Sequence, residues 1–190
     1  MNPILEAALE VQSFCRGHAW RFCIIGAIAV QRWGEPRLTQ DVDVTVLSGF
    51  GSEAEFVDAL LSGYRGRLPD ARAFALRHRV VLLESASAVP IDVALGGIPF
   101  EERVVDRAST FDVGGSEPLL ACSAEDLVVL KAFAGRDKDW IDVEGIVTRQ
   151  GGRLDVALVL RELAPLLELK DDTRALLRLQ AILDRTTAEG

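Results

Sequence analysis

Apolar residues recur at helical spacing, then in short runs, then alternately, so the first fifty positions divide into elements. Ile4, Leu5, Ala8, Leu9 and Val11 describe one face of a helix over residues 3–16, with Pro3 at its start and Gly17 placed to stop it. Residues 20–25 form a short apolar run ending at Gly26. Residues 27–33 suit a second helix closed by Gly34. The prediction is a strand, a tight glycine turn and a helix. Pro36 interrupts residues 35–40. In the next six positions Asp41, Asp43 and Thr45 alternate with Val42, Val44 and Val46, a period of two that predicts a strand carrying paired acids.

Further along, Ser52 and Glu55 stand at capping-box spacing, and Phe56, Val57, Leu60 and Leu61 supply the apolar face of a helix to about residue 62. Residues 63–77 carry no single period, and no element is assigned to them. Residues 79–84 and 90–95 read as two strands joined by the small polar segment 85–88, with Asp92 inside the second. A short helix over 101–107 precedes two brief strands, 110–113 and 119–122, which turn at Gly114-Gly115. Ser123 caps a helix through Leu127, Leu130, Lys131 and Phe133 to Ala134, stopped by Gly135. From Asp137 onward the pattern is helical, in three segments broken near Gly151-Gly152 and Pro165. The class predicted is α+β. Residues 1–122 form a core carrying the chemistry, and residues 123–190 a helical region packed on it, within the size of one unit plus an appendage.

Composition narrows the setting. Of the 190 residues 49% are hydrophobic and 26% charged, which excludes a disordered chain. No apolar run approaches the roughly 20 residues of a membrane-spanning helix, and the N-terminus lacks the basic, apolar, small-residue order of a signal peptide. A cytoplasmic protein is expected. Cys15, Cys23 and Cys122 have no metal or redox spacing and are expected to be buried thiols. A net charge of −8 disfavours extensive binding of nucleic acid. A mononucleotide is a different case, because a metal ion supplies the positive charge and needs an acidic site.

In a strand, residues i and i+2 point to one face about 6 to 7 Å apart, so Asp41 and Asp43 aim both carboxylates at one spot. Two such charges repel and cost stability unless a cation balances them. Asp92, between Ile91 and Val93, joins them if its strand pairs beside the first. Three carboxylates select a hard cation, Mg²⁺ or Mn²⁺, and two ions about 4 Å apart suit an in-line phosphoryl displacement. Gly26, at a strand end and opening a helix, offers N–H groups for phosphate at the same edge. Taken alone, Asp-x-Asp in a strand marks a solvated face. Gly26 before it and Asp92 after it change that reading.

The segments Gly26-Ala27, Arg37-Leu38-Thr39-Gln40-Asp41-Val42-Asp43 and Ile91-Asp92-Val93, in this order, resemble the polymerase-beta-type nucleotidyltransferase superfamily, in particular its small bacterial AbiEii-like members. The likeness extends over residues 22–147, because Glu125-Asp126-Leu127 to Lys131, and Arg136-Asp137-Lys138-Asp139 to Asp142-Val143, look like the segment after the catalytic sheet in those proteins. It implies a mixed β-sheet with flanking helices, a Gly26-Ala27 turn holding a nucleoside triphosphate such as ATP, and Asp41, Asp43 and Asp92 as catalytic metal ligands. Such turns commonly read Gly-Ser or Gly-Gly, and here Ala27 offers its backbone N–H but no hydroxyl.

Lys131, Arg136 and Lys138 are each either contacts to the triphosphate or helix-surface charges, solvated or paired with acids. Arg37 and Thr39 are expected to shape the loop before the paired acids. His18 and His78 read as surface or turn residues, and Trp20, Trp33 and Trp140 as packing. The activity expected is transfer of a nucleoside monophosphate from a triphosphate to a hydroxyl acceptor: a tRNA end, a protein side chain or a small molecule. A role in a toxin-antitoxin pair with a cognate protein partner goes with that family. The rivals are a catalytically silent nucleotide-binding or antitoxin module of the same fold, and a phosphohydrolase using water.

Overall fold

The valines facing away from the paired acids are what seat them in the molecule. Val42, Val44 and Val46 are fully buried and hold β2 (Val42–Leu47) near the middle of a sheet, with Asp43 on the opposite face. The computed structural model describes residues 2–115, 117–172 and 174–188. They fall into two units, Met1–Ile28 with Leu38–Cys122, and Ala29–Arg37 with Ser123–Gly190.

The first unit begins with α1 (Pro3–Gly17), whose first turn is capped by the Asn2 side chain accepting from Ile4 N–H. It continues through β1 (Phe22–Ile24) into the first turn of α2 (Gly26–Trp33). After β2 come α3 (Glu53–Gly63), β3 (Arg65–Gly66), α4 (Ala71–His78), β4 (Val80–Glu84) and β5 (Pro90–Gly96). α5 (Pro99–Asp106), β6 (Ser109–Phe111) and β7 (Leu119–Ala121) complete it. Among the described residues seven strands form one sheet in the order β3-β4-β5-β2-β1-β7-β6. β2 runs parallel to β5, and β1 to β7, while the remaining pairs are antiparallel, so the sheet is mixed. Its core joins the buried faces of these strands to Ala7, Ala8 and Val11 of α1 and Val57 and Leu60 of α3.

Two expectations need correction here. Residues 63–77 do contain elements, but β3 is a two-residue edge strand and α4 buries a single side chain, Ala75, so neither leaves a strong period in the sequence. Ser52 makes no capping bond. Glu53 instead accepts from Gly51 N–H at 2.8 Å and pairs with Arg79, holding the loop before α3 by other means.

The second unit takes the rest of α2 and the loop after it, then α6 (Ala124–Ala134), α7 (Asp137–Gln150), α8 (Val156–Lys170) and α9 (Arg174–Ala188). Ser123 accepts from Asp126 N–H at 3.1 Å to cap α6, and Gly135 in the left-handed region (φ 70°) closes it. The break at Gly151–Arg153 is a 3-10 turn. The break expected at Pro165 is absent, and α8 runs on to Asp171 at φ 54°. Pro165 is exposed, so the carbonyl that loses its helical donor lies on the side facing water.

The three cysteines are buried and form no disulfide, and burial pushes Cys15 up to about 12, which keeps it inert. No helix among the described residues is long and apolar enough to cross a membrane.

Candidate active site

The register of β2 against β5 decides whether the acids meet. Val42 pairs with Ile91, Asp43 with Asp92 and Val44 with Val93, so the two aspartates stand directly beside each other on neighbouring strands, about 4.8 Å apart at the backbone. Paired residues share a face. The flanking apolar residues Val42, Ile91, Val44 and Val93 are all fully buried on the other side, while Asp43 and Asp92 are half-buried. Asp41 precedes β2 by one residue, on the Asp43 side. Its Oδ1 accepts from the Thr39 hydroxyl at 2.8 Å, and that hydroxyl also reaches the Asp41 carbonyl at 3.2 Å. Thr39 therefore fixes the first acid, as a loop-shaping residue would.

Gly26 has a local reason to be glycine besides any ligand. Its φ is +64°, and Ile25 N–H donates to the Asp43 carbonyl at 2.9 Å, which brings the start of α2 against the second acid. A Cβ placed on Gly26 would overlap Asp43 Oδ2 and lie 2.6 Å from its Cγ. The missing side chain is what gives the Asp43 carboxylate its place. Ala27 follows with its methyl buried, and the two residues open α2, where helical N–H groups lack intrahelical acceptors.

A residue that sequence reasoning missed completes the electrostatics. Arg67, just beyond β3, donates from its backbone N–H to Leu82 at 2.9 Å and places its guanidinium on Asp92 Oδ1. Burial raises the pKa of Asp92 above the ordinary carboxylate value, Arg67 opposes that rise, and the nearby charge of Asp41 adds to it. The rise prevails because burial, the largest influence, together with Asp41 outweighs Arg67. Nothing in the stretch around Arg67 signals this role. Its position follows only from the pairing of β3, β4 and β5.

Among the described residues no group of three or more His, Cys, Asp or Glu side chains already forms a metal cage. What the site offers is the donor chemistry for one. Asp41, Asp43 and Asp92 present hard oxygen donors from one sheet face, and a guanidinium already occupies Asp92 as a cation would. This set fits a hard divalent cation.

The basic residues expected near phosphate sit in the second unit. Lys131 is buried, its Nζ 2.8 Å from Asp142 Oδ2 and 3.3 Å from Asp139 Oδ1. Arg37 grips the same Asp142 with two bonds, 2.7 Å from Nε and 3.0 Å from Nη2. Arg136 donates from Nε to Asp139 Oδ2 at 2.6 Å. For both acids burial works to raise the pKa but is outweighed by these cations, with Arg136 foremost at Asp139 and Arg37 at Asp142, so both are held below the ordinary carboxylate range. Lys138 is exposed. Lys131, Arg136 and Arg37 thus belong to one ion network within this unit.

No protein-family model matches the chain, and no curated protein sequence does either. Solved structures do. An antigenic nucleotidyltransferase-like protein from Paracoccidioides brasiliensis superposes with a TM-score of 0.52 at 14% identity, over 96% of this chain and 93% of that one. The antibiotic-resistance factor ANT(2'')-Ia gives 0.47 at 10% identity, over 100% and 94%. JHP933 from Helicobacter pylori gives 0.44 at 13% identity, over 97% and 95%. The first of these establishes the fold: an α+β chain whose mixed sheet is that of a nucleotidyltransferase-like protein.

Proposed function

We propose that the chain transfers a nucleoside monophosphate from a nucleoside triphosphate to a hydroxyl acceptor, using Asp41, Asp43 and Asp92. The observation that carries this is the register pairing of Asp43 with Asp92 beside Gly26, where a side chain would exclude the Asp43 carboxylate. A structural sheet gains nothing from such crowding. A phosphoryl-transfer site needs it.

The three aspartates would hold Mg²⁺ or Mn²⁺, which when bound supplies charge neutralisation at the phosphates and a more acidic acceptor hydroxyl. The acceptor oxygen forms a bond to the α-phosphorus, the bond from that phosphorus to the bridging oxygen breaks, and pyrophosphate leaves. The proton of the acceptor hydroxyl passes to a carboxylate of this site. Gly26 and Ala27 present the first N–H groups of α2 to phosphate oxygens. Thr39 keeps Asp41 oriented through its hydroxyl.

For the acceptor, the charge of −8 favours a small molecule, a protein side chain or a single tRNA end over an extended nucleic acid. A cognate protein of toxin-antitoxin kind is the partner we expect with this activity. Incubation of the protein with α-labelled triphosphates, Mg²⁺ or Mn²⁺ and a panel of hydroxyl acceptors tests it. Labelled acceptor and stoichiometric pyrophosphate are expected from the wild type and not from Asp43→Asn. Bound nucleotide without pyrophosphate would replace the reading with a silent binding module, and nucleoside monophosphate without labelled acceptor would replace it with a hydrolase.

A further inference from the structure

Three strand positions, and Arg67 just past the end of β3, lie in one row across the sheet. Arg67 bonds to Leu82 through its backbone, Leu82 pairs with Asp92, and Asp92 pairs with Asp43. Arg67 therefore reaches past Leu82, two strand spacings or about 10 Å, to set its guanidinium on the middle acid. Only a long basic side chain covers that span. The pose is half satisfied: Arg67 Nε is buried and has no hydrogen-bond partner. A guanidinium carries five N–H donors, and its forked bonds to an anion can use Nε together with a terminal nitrogen. At Asp92 that fork is not formed.

We propose that Arg67 is a positioning residue that occupies Asp92 in the nucleotide-free protein, in place of a divalent cation, and passes to the triphosphate when cation and nucleotide bind together. The idea rests on the nucleotidyltransferase reading above. A guanidinium and a divalent cation compete for one carboxylate, so the free protein takes up the cation poorly. An entering triphosphate supplies the second anion that Arg67 needs once displaced, with oxygens for a full fork including Nε. Leaving Arg67 in a half-buried place without an anion is costly. Cation loading thereby becomes conditional on nucleotide.

The test is Mn²⁺ titration of the full chain, followed by the electron paramagnetic resonance of free Mn²⁺, without nucleotide and with a non-hydrolysable triphosphate analogue. Wild type, Arg67→Met, Arg67→Lys and Asp92→Asn are compared, each checked for folding by circular dichroism. Without nucleotide, Arg67→Met should bind Mn²⁺ about tenfold more tightly than wild type, a coupling of ordinary size. With the analogue, wild type should gain Mn²⁺ affinity and Arg67→Met should gain little. Arg67→Lys keeps the charge but lacks the fork, so its nucleotide-free Mn²⁺ affinity should stay near wild type while its gain from the analogue falls. Equal Mn²⁺ affinity of wild type and Arg67→Met, with Asp92→Asn weaker than both, would overturn the role of Arg67 and leave the metal site standing. Should Arg67→Met fail to fold, Arg67→Lys matching wild type in both conditions would overturn it. No Mn²⁺ binding by wild type in either condition would remove the metal-dependent reading itself.

Discussion

Asp92 in the first unit and Asp139 with Asp142 in the second are aspartates perturbed in opposite directions. Asp139 and Asp142 are almost wholly enclosed, at 0% and 2% side-chain exposure, yet Lys131, Arg37 and Arg136 hold both below the ordinary carboxylate range. Asp92 is more open, at 33%, and has an arginine in contact, yet burial and the charge of Asp41 raise it. Burial therefore does not distinguish them. The balance of charge does. In the second unit fixed cations meet each carboxylate, which is how an ion network joins a loop to a helix. In the first unit a single arginine meets Asp92, with Asp43 paired beside it and the charge of Asp41 near, which suits a site meant to receive a cation.

The largest effect expected falls on the balanced group. Lys131→Met leaves two buried carboxylates short of their shared cation and should cost about 3–5 kcal/mol of stability in urea denaturation. A smaller loss would mean that Arg37 and Arg136 suffice. Next comes the crowded group. Asp43→Asn should lower pyrophosphate release more than about 100-fold, beyond what loss of an outer-shell partner costs, while leaving the thermal midpoint unchanged or higher. A drop in midpoint comparable to that of Lys131→Met would erase the contrast.

Gly26→Ala should destabilise by about 1–3 kcal/mol, since it combines a left-handed φ with overlap on Asp43. Adding Asp43→Ala should return part of that loss, because the overlap with the carboxylate goes while the 2.7 Å approach to the Asp43 Cβ and the backbone strain stay. Strict additivity of the two changes would show that Gly26 and Asp43 do not meet as described.

The smallest effect is a difference in pH response. Asp139 and Asp142 have depressed folded values, so their stabilisation is complete above the unfolded carboxylate value of about 3.9 and is lost as the pH falls through the folded values. Asp142→Asn should flatten the acid limb of the stability curve. Asp92 has a raised folded value, so its contribution is present below the unfolded value and is lost as the pH rises through the folded one. Asp92→Asn should therefore leave that acid limb unflattened, its loss of the Arg67 contact acting evenly across the acid range. Matching pH profiles for the two variants would contradict the assignment of opposite shifts.

Much of this was legible in the residues. The strand, glycine turn and helix at residues 22–33, the period-two strand with its paired acids and the hairpin leading into β5 follow from spacing alone, because each pairs a buried apolar face with a clear stop. The adjacency of β5 to β2 does not follow from spacing, since register between strands 49 residues apart (Asp43 to Asp92) is a tertiary property. Arg67 was not legible for the same cause, compounded by the weak pattern of β3 and α4. Lys131 shows the reverse limit: helical spacing located it, but its ties to Asp139 and Asp142 depend on α6 and α7 lying together. Pro165 does not end α8 because the helix on both sides of it is held by buried Val159, Leu163, Leu166 and Leu167, while Pro165 itself faces water.

The most direct measurement compares thermal midpoints with and without Mg²⁺ plus a non-hydrolysable triphosphate, in wild type, Asp43→Asn and Asp142→Asn. Ligand that binds only the folded chain raises the midpoint with concentration. Wild type and Asp142→Asn should both show that rise, the latter from a lower starting point, and Asp43→Asn should not. A full rise in Asp43→Asn would place nucleotide and cation away from the β2 and β5 acids and contradict the account.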